Sequence, residues 1–298
     1  MDKKYIATFI LPLVIIAIYA YIFKLNVFYI LTEDPRFLLL FITVYILQNS
    51  IDSIKDSLLT QLRIDKTLKA RLLGSSIGLV VPGWTGQELA RSLVYNKYGL
   101  NLSQSLSYSI LVGLIDVLAI CFGYILFLPL YFNPLEIIFI FTVISNILGW
   151  SAALSYFYLQ QNKLNKIEQF VFKIIKMEHI STSYLEFKSY LKQGMSKKFI
   201  IYVLISFLGF ASYSLYFYYI IHNILLSIFV SFLYQVSTLI PIPSAAIVGE
   251  LALSIFLNPS YVFLTRLNYI VSNLIGFLFF REMSFEELKK WSKEILKR

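Results

Sequence analysis

Long apolar stretches, separated by short polar or basic ones, fill most of the chain. A helix needs about 20 apolar residues to cross a bilayer. Six stretches reach that length: Tyr5–Leu25, Phe37–Leu58, Leu106–Phe132, Leu135–Leu159, Phe199–Ile221 and Tyr261–Phe280. We therefore predict about six transmembrane helices. The second stretch is the least apolar, because Gln48, Asn49 and Asp52 follow its apolar part, so this end either lines a wet cavity or leaves the membrane early.

Two further apolar stretches, Leu68–Tyr98 and Asn223–Leu257, are interrupted by proline near their centres. Proline ends a helix because it lacks an N–H donor and clashes with the preceding turn. Irregular backbone at membrane depth is tolerated only where protein or a water-filled cavity surrounds it. Each stretch therefore predicts two half-helices that form a re-entrant hairpin. The predicted breaks are Pro82, Gly83, Pro241 and Pro243.

Basic residues predict the orientation of the chain, because cytoplasmic loops carry an excess of Lys and Arg. They concentrate in the N-terminus, in the connections after the second and fourth spans and in the C-terminal tail, whereas Phe132–Pro134 and His222-Asn223 carry none. Both termini are then cytoplasmic, the first hairpin enters from the cytoplasm and the second from outside. In this interpretation, the connection after the second span contains five basic residues: Lys55, Arg63, Lys66, Lys69 and Arg71.

Two hairpins of opposite orientation predict an inverted repeat. Glu88-Leu89-Ala90-Arg91-Ser92 aligns with Glu250-Leu251-Ala252-Leu253-Ser254 at an offset of 162 (250 − 88). Inverted repeats with broken helices are the architecture of many transporters. We predict an all-α polytopic membrane protein with a single membrane domain, 1–298. Its parts are a first half, 1–132, a second half, 133–281, a basic amphipathic cytoplasmic linker within it, 160–198, and a basic tail, 282–298.

Composition supports a membrane protein and excludes several function classes. Hydrophobic residues make up 58% of the 298 residues and charged residues 14%, against about half and a quarter in soluble domains. The net charge of +9 follows from the loop pattern and does not indicate a nucleic-acid partner. With one cysteine and two histidines, the sequence has no metal-binding spacing. Nucleotide-binding loops and hydrolase motifs are missing too. We expect no enzyme activity and no cofactor.

Ionisable residues inside membrane segments are the candidates for function, because burying a charge in lipid is costly. Glu88 and Glu250 each follow a predicted break, and Arg91 lies one turn after Glu88. Asp116 and Arg266 lie in the spans that follow the two hairpins, so Asp116 could pair with Arg91 and Arg266 with Glu250. The sequence leaves two interpretations open: these five residues form a substrate-binding and translocation site, or they neutralise one another and hold the helices together.

The segment Pro82–Arg91 resembles the Pro…Gly-Gly-Glu-Pro-x-Arg signature of the flippase-like transmembrane domain of lysylphosphatidylglycerol synthases. The segment Leu239–Glu250 is similar to that family's Pro-Gly-Gly-x-Gly-x-x-Glu stretch. It has Ser244, Ala245 and Ile247 in place of glycines, and Val112-Gly113 stand where the family has a Glu-Arg pair. Further matching positions are Asp116, Arg266 and Gly276. The chain ends at Arg298, so the resemblance implies a stand-alone member without the synthase domain that transfers lysine.

The resemblance implies a lipid flippase of the cell membrane. Such a protein moves a phospholipid or a polyprenyl-phosphate-type lipid, with an anionic headgroup, between leaflets. The alternative is a membrane scaffold or accessory protein that transports nothing and whose basic linker, 160–198, docks an acidic partner or anionic headgroups. The expected partners are membrane lipids, with a homo-oligomer as a further possibility.

Overall fold

The computed structural model describes residues 3–33, 35–79, 81, 84–159, 163–174, 181–195, 198–242 and 245–283, and this part is helical without strands. The helices of the first half are α1 (Lys3–Ile22), α2 (Val27–Glu33), α3 (Arg36–Thr60), α4 (Ile64–Gly78), α5 (Trp84–Lys97) and α6 (Leu102–Tyr131). Those of the second half are α7 (Ile137–Leu159), α8 (Lys166–Ile174), α9 (Ser181–Gly194), α10 (Phe199–Ala211), α11 (Ser214–Ile221), α12 (Ile224–Thr238), α13 (Val248–Ser254) and α14 (Pro259–Leu274). One 3₁₀ turn, Pro134–Glu136, precedes α7, and a 3₁₀ helix, Ile275–Glu282, continues α14.

Five segments of the described chain are long and apolar enough to cross a membrane. They are Arg36–Thr60, Leu102–Tyr131, Pro134–Leu159, Phe199–Ile221 and Pro259–Glu282. These correspond to five of the six predicted spans. The sixth predicted span, Tyr5–Leu25, corresponds to α1, a helix of 20 residues. The chain is therefore a multi-pass, all-helical membrane protein.

Helices α4 and α5 pack side by side in opposite directions. The Lys66 ammonium lies 4.3 Å from the centre of the Tyr98 ring at one end of the pair. Towards the other end, the side chain of Arg91 lies against Gly74, and the side chain of Gln87 lies against Gly78. The two helices are thus antiparallel neighbours, and the break predicted between them at Pro82 and Gly83 lies outside the described residues.

Helices α12 and α13 flank the second predicted break. Phe229 of α12 packs edge-to-face against Phe256, which lies just after α13, with ring centroids 5.7 Å apart. Pro241 lies in an exposed bend between the helices, and Pro243 lies outside the described residues. Here Ala245 and Ile247 have φ angles of +50° and +69°. A positive φ angle suits glycine and is strained for a β-branched residue. Ala245 and Ile247 therefore hold a backbone conformation that glycines, as found in the similar stretch of the family, would adopt without strain.

Replacing Ile247 with glycine should stabilise the protein by about 1 kcal/mol. The relief of backbone strain, about 1–3 kcal/mol, should exceed the extra entropy that glycine gives the unfolded chain. Thermal unfolding in detergent measures the difference. Ile200 is a matched control, because it is also exposed, at 70% against 62% for Ile247, but lies in regular α-helix. Ile200→Gly should be destabilising, and equal losses in both variants would contradict the strain.

Helix α3 continues well past its apolar part, through the polar end of the second predicted span. Gln48, Asn49, Asp52, Lys55 and Asp56 are all buried on the helix. Their spacing of three, four, seven and eight residues places them on one face. This end of α3 therefore does not form a loop but lies inside the protein, where Gln48 and Asn49 line a cavity.

The linker contains two short helices that are fixed to the membrane domain through one carboxylate. Glu168 of α8 accepts hydrogen bonds from Lys188 Nζ (2.8 and 3.0 Å) and from the hydroxyls of Tyr156 and Tyr184 (2.9 and 2.8 Å). Tyr156 belongs to α7, and the other two belong to α9. Lys188, which the sequence counts only as a basic linker residue, is thus buried in an ion pair.

Acid should release this linker. Burial alone would raise the pKa of Glu168, but the hydrogen bonds from Lys188, the Asn165 N–H and the two tyrosines outweigh burial and lower it below its usual 4.5. Ionised Glu168 therefore stabilises the folded linker above about pH 4.5, and this stabilisation is lost as the pH falls towards the lowered pKa. Hydrogen exchange of residues 181–194 should accelerate between pH 5 and pH 3 after correction for the intrinsic rate. Glu168→Gln should abolish that pH dependence, whereas replacing Glu186, an exposed carboxylate on α9, with glutamine should preserve it.

Candidate functional site

A network of buried charges joins four helices of the first half. Arg71 of α4 lies at its centre and donates to Asp56 through two parallel bonds, Nε to Oδ2 at 2.7 Å and Nη2 to Oδ1 at 2.9 Å. Its remaining bonds reach Asp52 of α3 at 3.1 Å and Asp116 of α6 at 3.1 Å. The guanidinium fork suits such an arrangement because it is planar and permanently charged.

Lys55 and Arg91 complete the network from opposite sides. The Lys55 ammonium, completely buried, binds Asp116 and the Ser206 hydroxyl of α10, the latter at 2.6 Å. Arg91 of α5 contacts Glu88 at 3.2 Å and Asp116 at 3.6 Å. The predicted pairing of Arg91 with Asp116 is therefore present, and Asp116 is the carboxylate that all three cations share.

Glu88 lies at the edge of this network. One of its carboxylate oxygens accepts the Arg91 bond, and the other accepts the Ser109 hydroxyl at 2.7 Å. Glu88 and Arg91 are three residues apart on one face of α5, which brings them together without any long-range packing. Tyr95, one turn further, donates to Asp56 at 3.1 Å. One face of α5 thus supplies three polar side chains to the network.

The second half has a smaller cluster around Arg266 of α14. Arg266 Nε donates to Glu250 Oε1 at 2.9 Å, and Nη1 donates to the Tyr234 hydroxyl at 2.9 Å. The guanidinium lies 5.4 Å from the centre of the Tyr269 ring, within cation–π range. A Cβ at Gly249 would come within 2.9 Å of Arg266, so this glycine gives the arginine its space. The predicted pairing of Arg266 with Glu250 is present.

A polar cavity of about 70 Å³ lies between the two halves. Arg71, Arg91 and Asp116 line it from the first half, and Gln235 and Tyr269 line it from the second. Glu88, Glu250 and Arg266 lie behind this wall, and no ion pair of the described chain links the two clusters. The five predicted residues thus form two groups: Arg91 and Asp116 face the cavity, and Arg266 contacts Tyr269 of the cavity wall. One water needs roughly 10–15 Å³, so the cavity has room for several.

Sequence reasoning missed Lys55, Asp56 and Arg71 as site residues and named Asp52 only at the polar end of the second span. The assignment of Lys55 and Arg71 to a cytoplasmic loop is wrong. Lys55 lies in α3 and Arg71 in α4, and their exposed fractions are 0% and 1%. Both pair with acidic groups on neighbouring helices, which offsets much of the desolvation cost that otherwise keeps a cation in water. The regular spacing of Gln48, Asp52, Lys55 and Asp56 was the available signal.

Comparisons with known proteins place the chain in a family. The lysylphosphatidylglycerol synthase TM region family matches residues 9–262, which include the charged network of the first half and Glu250 but end before Arg266. No curated protein and no solved structure matches the chain. The match confirms the resemblance found at Pro82–Arg91 and Leu239–Glu250 and covers most of the sequence. The chain belongs to the lysylphosphatidylglycerol synthase TM region family.

Proposed function

We propose that this protein moves a membrane lipid between leaflets. The observation that carries the proposal is the network of seven buried ionisable side chains beside a polar cavity, within a bundle of membrane-spanning helices. Buried ion pairs often contribute less stability than apolar side chains of the same size. Membrane proteins place ionisable residues in their interior chiefly along substrate or ion pathways. The family's link to lipid handling makes a lipid headgroup the proposed substrate.

Re-entrant hairpins and an inverted repeat are part of the proposal. Helices α4 and α12 have 15 residues each, which gives a length of about 22 Å, too short for a hydrocarbon core of about 30 Å. The offset between Glu88 and Glu250 also carries the start of α3 to the residue before the start of α10. It carries the starts of α4 and α5 to within a few residues of the starts of α12 and α13. This correspondence supports two halves of opposite orientation.

In the proposed mechanism, the cavity takes the headgroup while the acyl chains stay in the lipid. Arg91 and Asp116 contact the headgroup from the first hairpin side, and the Glu250–Arg266 pair positions Tyr269 from the second. Glu88 holds Arg91 in place. Because a cavity of about 70 Å³ is smaller than a headgroup, the hairpins must separate towards one leaflet to load it. We propose that the protein acts in the cell membrane with both termini in the cytoplasm.

Reconstitution into vesicles tests transport directly. Vesicles should contain traces of fluorescent or isotope-labelled lipids that carry phosphate, polyprenyl-phosphate or sugar headgroups, and a membrane-impermeant reagent should report the leaflet. Asp116→Asn and Glu250→Gln should slow the exchange between leaflets, while Asp65→Asn, an exposed carboxylate on α4 with 46% of its side chain accessible, should not. Unchanged distribution of every lipid with the wild type would refute transport.

A second candidate function, a scaffold, is favoured by one surface. Helix α8 exposes an apolar stripe at positions three and four residues apart: Ile167, Phe170, Val171 and Ile174. Its opposite face is fixed by Glu168, so the stripe is free to contact a partner protein or the membrane surface. Co-purification of a stoichiometric protein partner, lost on Phe170→Ser, would support this function. In that case the vesicles should show no transport.

A further inference from the structure

We infer that the cavity recognises an uncharged headgroup rich in hydroxyls, as in a sugar-bearing lipid, rather than a phosphate. The inference rests on the proposed function and names the class of its substrate. It differs from the anionic headgroup that the sequence predicts. Two independent features of the cavity lead to it, the balance of its charges and the chemistry of its neutral wall.

The ionisable side chains beside the cavity carry no excess positive charge. The cations are Lys55, Arg71 and Arg91, and the carboxylates are Asp52, Asp56, Glu88 and Asp116. Every one of these cations already contacts a carboxylate within 4 Å. If all are ionised, negative charges exceed positive ones by one. A phosphate would therefore enter a site without excess positive charge, next to the carboxylates of Glu88 and Asp116 that already neutralise Arg91.

The rest of the wall is neutral and unusually rich in amides. Five carboxamide side chains line the cavity: Gln48, Asn49, Gln87, Gln235 and Asn273. A carboxamide donates and accepts hydrogen bonds at once, as a sugar hydroxyl also does. Such groups contribute no charge, so an uncharged headgroup gains hydrogen bonds here without breaking any ion pair.

Some of these groups serve the protein itself, and others are available to a ligand. The amides of Asn49 and Asn273 donate to the Tyr45 and Tyr269 carbonyls one turn earlier on their own helices, both at 2.8 Å. In contrast, no hydrogen bond joins the Gln235 side chain to the described part of the protein, although only 8% of this residue is exposed. The hydroxyls of Tyr213 and Tyr269, on the same wall, likewise have no such bond there.

The arrangement suits a ring with hydroxyls around it. Gln235 of α12 provides both a donor and an acceptor, and the phenol groups of Tyr213 and Tyr269 provide two hydroxyls. Aromatic side chains also offer an apolar surface to the C–H face of such a ring. A site built to bind hydroxyls discriminates strongly, because a ligand without them leaves buried polar groups unpaired. Selection for a neutral sugar headgroup is the expected result.

Competing lipids in vesicles test this inference. Labelled monoglycosyl diacylglycerol, phosphatidylglycerol and phosphatidylcholine with identical acyl chains should be compared in the same reconstituted wild-type protein. We expect the glycosyl lipid to exchange at least about tenfold faster than either phospholipid. Faster or equal exchange of a phospholipid would overturn the inference while leaving lipid transport intact. Failure of all three lipids, and of the polyprenyl phosphate used above, would instead refute transport itself.

Two variants and a matched control assign the effect to the cavity. Gln235→Leu should reduce exchange of the glycosyl lipid by at least about tenfold and leave the slow exchange of the phospholipids unchanged. Asn146 lies outside the cavity on α7, where its amide donates to the Thr142 carbonyl at 2.8 Å. Asn146→Leu removes an amide in the same way and should keep the wild-type rate. A Gln235→Leu protein that folds and keeps its full glycosyl-lipid rate would contradict the inference.

Should Gln235→Leu not fold, Tyr269→Phe offers a milder test. It removes one hydroxyl but keeps the ring that lies against Arg266. We expect a loss of about threefold to tenfold for the glycosyl lipid alone. An equal loss for all three lipids would show that Tyr269 supports the fold and does not select the headgroup, and it would count against the inference.

Discussion

Replacing Arg71 with methionine should destabilise the protein by about 3–5 kcal/mol, the largest effect expected from any single change to the charged network. Arg71 is 1% exposed and donates to Asp52, Asp56 and Asp116 at 2.7–3.1 Å. Without the guanidinium, these three carboxylates stay buried with only Lys55 and Arg91 to balance them. Thermal or denaturant unfolding of the purified protein in detergent measures the loss.

Two comparisons separate the loss of a buried charge from the loss of a side chain. Arg63 is also followed by an acidic partner, Asp65 at 3.1 Å, but 83% of its side chain is exposed. Arg63→Met should therefore lower the free energy of unfolding by no more than about 1 kcal/mol. The double variant, Arg71→Met with Asp56→Asn, should lose less stability than the two single variants lose together. The second change removes one of the buried charges that Arg71→Met leaves without its partner. Similar small losses for Arg63→Met and Arg71→Met would contradict the buried network.

The sequence is informative about the parts of the fold that local pattern determines. Apolar runs predict five spans that the structure contains, and proline predicts where two further helices end. The Glu88–Arg91 pair follows from helical spacing alone. The pairs between Arg91 and Asp116 and between Glu250 and Arg266 were predictable because each partner lies in the span after its hairpin, and neighbouring helices in the chain tend to pack together.

The centre of the site depends on packing between helices that are far apart in sequence. A cation after an apolar run normally marks a loop, and this expectation misplaced Lys55 and Arg71. What keeps Lys55 in the interior is Asp116, 61 residues later, and Ser206, 151 residues later. These contacts exist only once α3, α6 and α10 have assembled. The cavity has the same origin, because its wall combines side chains from both halves.

Cysteine labelling should place both ends of the first hairpin on the cytoplasmic side, in an all-or-none pattern. Lys66 lies over the ring of Tyr98 at 4.3 Å, and Lys69 and Lys97 both bind Glu282, at 3.0 and 2.9 Å. The start of α4 and the end of α5 are therefore neighbours and must face the same compartment. Their cluster of basic residues predicts the cytoplasm. In a Cys121→Ser background, Arg63→Cys and Lys97→Cys should react with a membrane-impermeant maleimide only after the cells are opened.

The second hairpin should give the opposite result. Asn223 and Asn258 are exposed, and each caps the helix that follows by accepting a backbone N–H at 3.1 Å. Asn223→Cys and Asn258→Cys should react in intact cells, as should Asn133→Cys in the short connection between α6 and α7, which serves as a control. If Arg63→Cys and Lys97→Cys react from opposite sides, α4 and α5 together cross the membrane once. The two halves would then share one orientation, and the cavity between them would have no route to both leaflets.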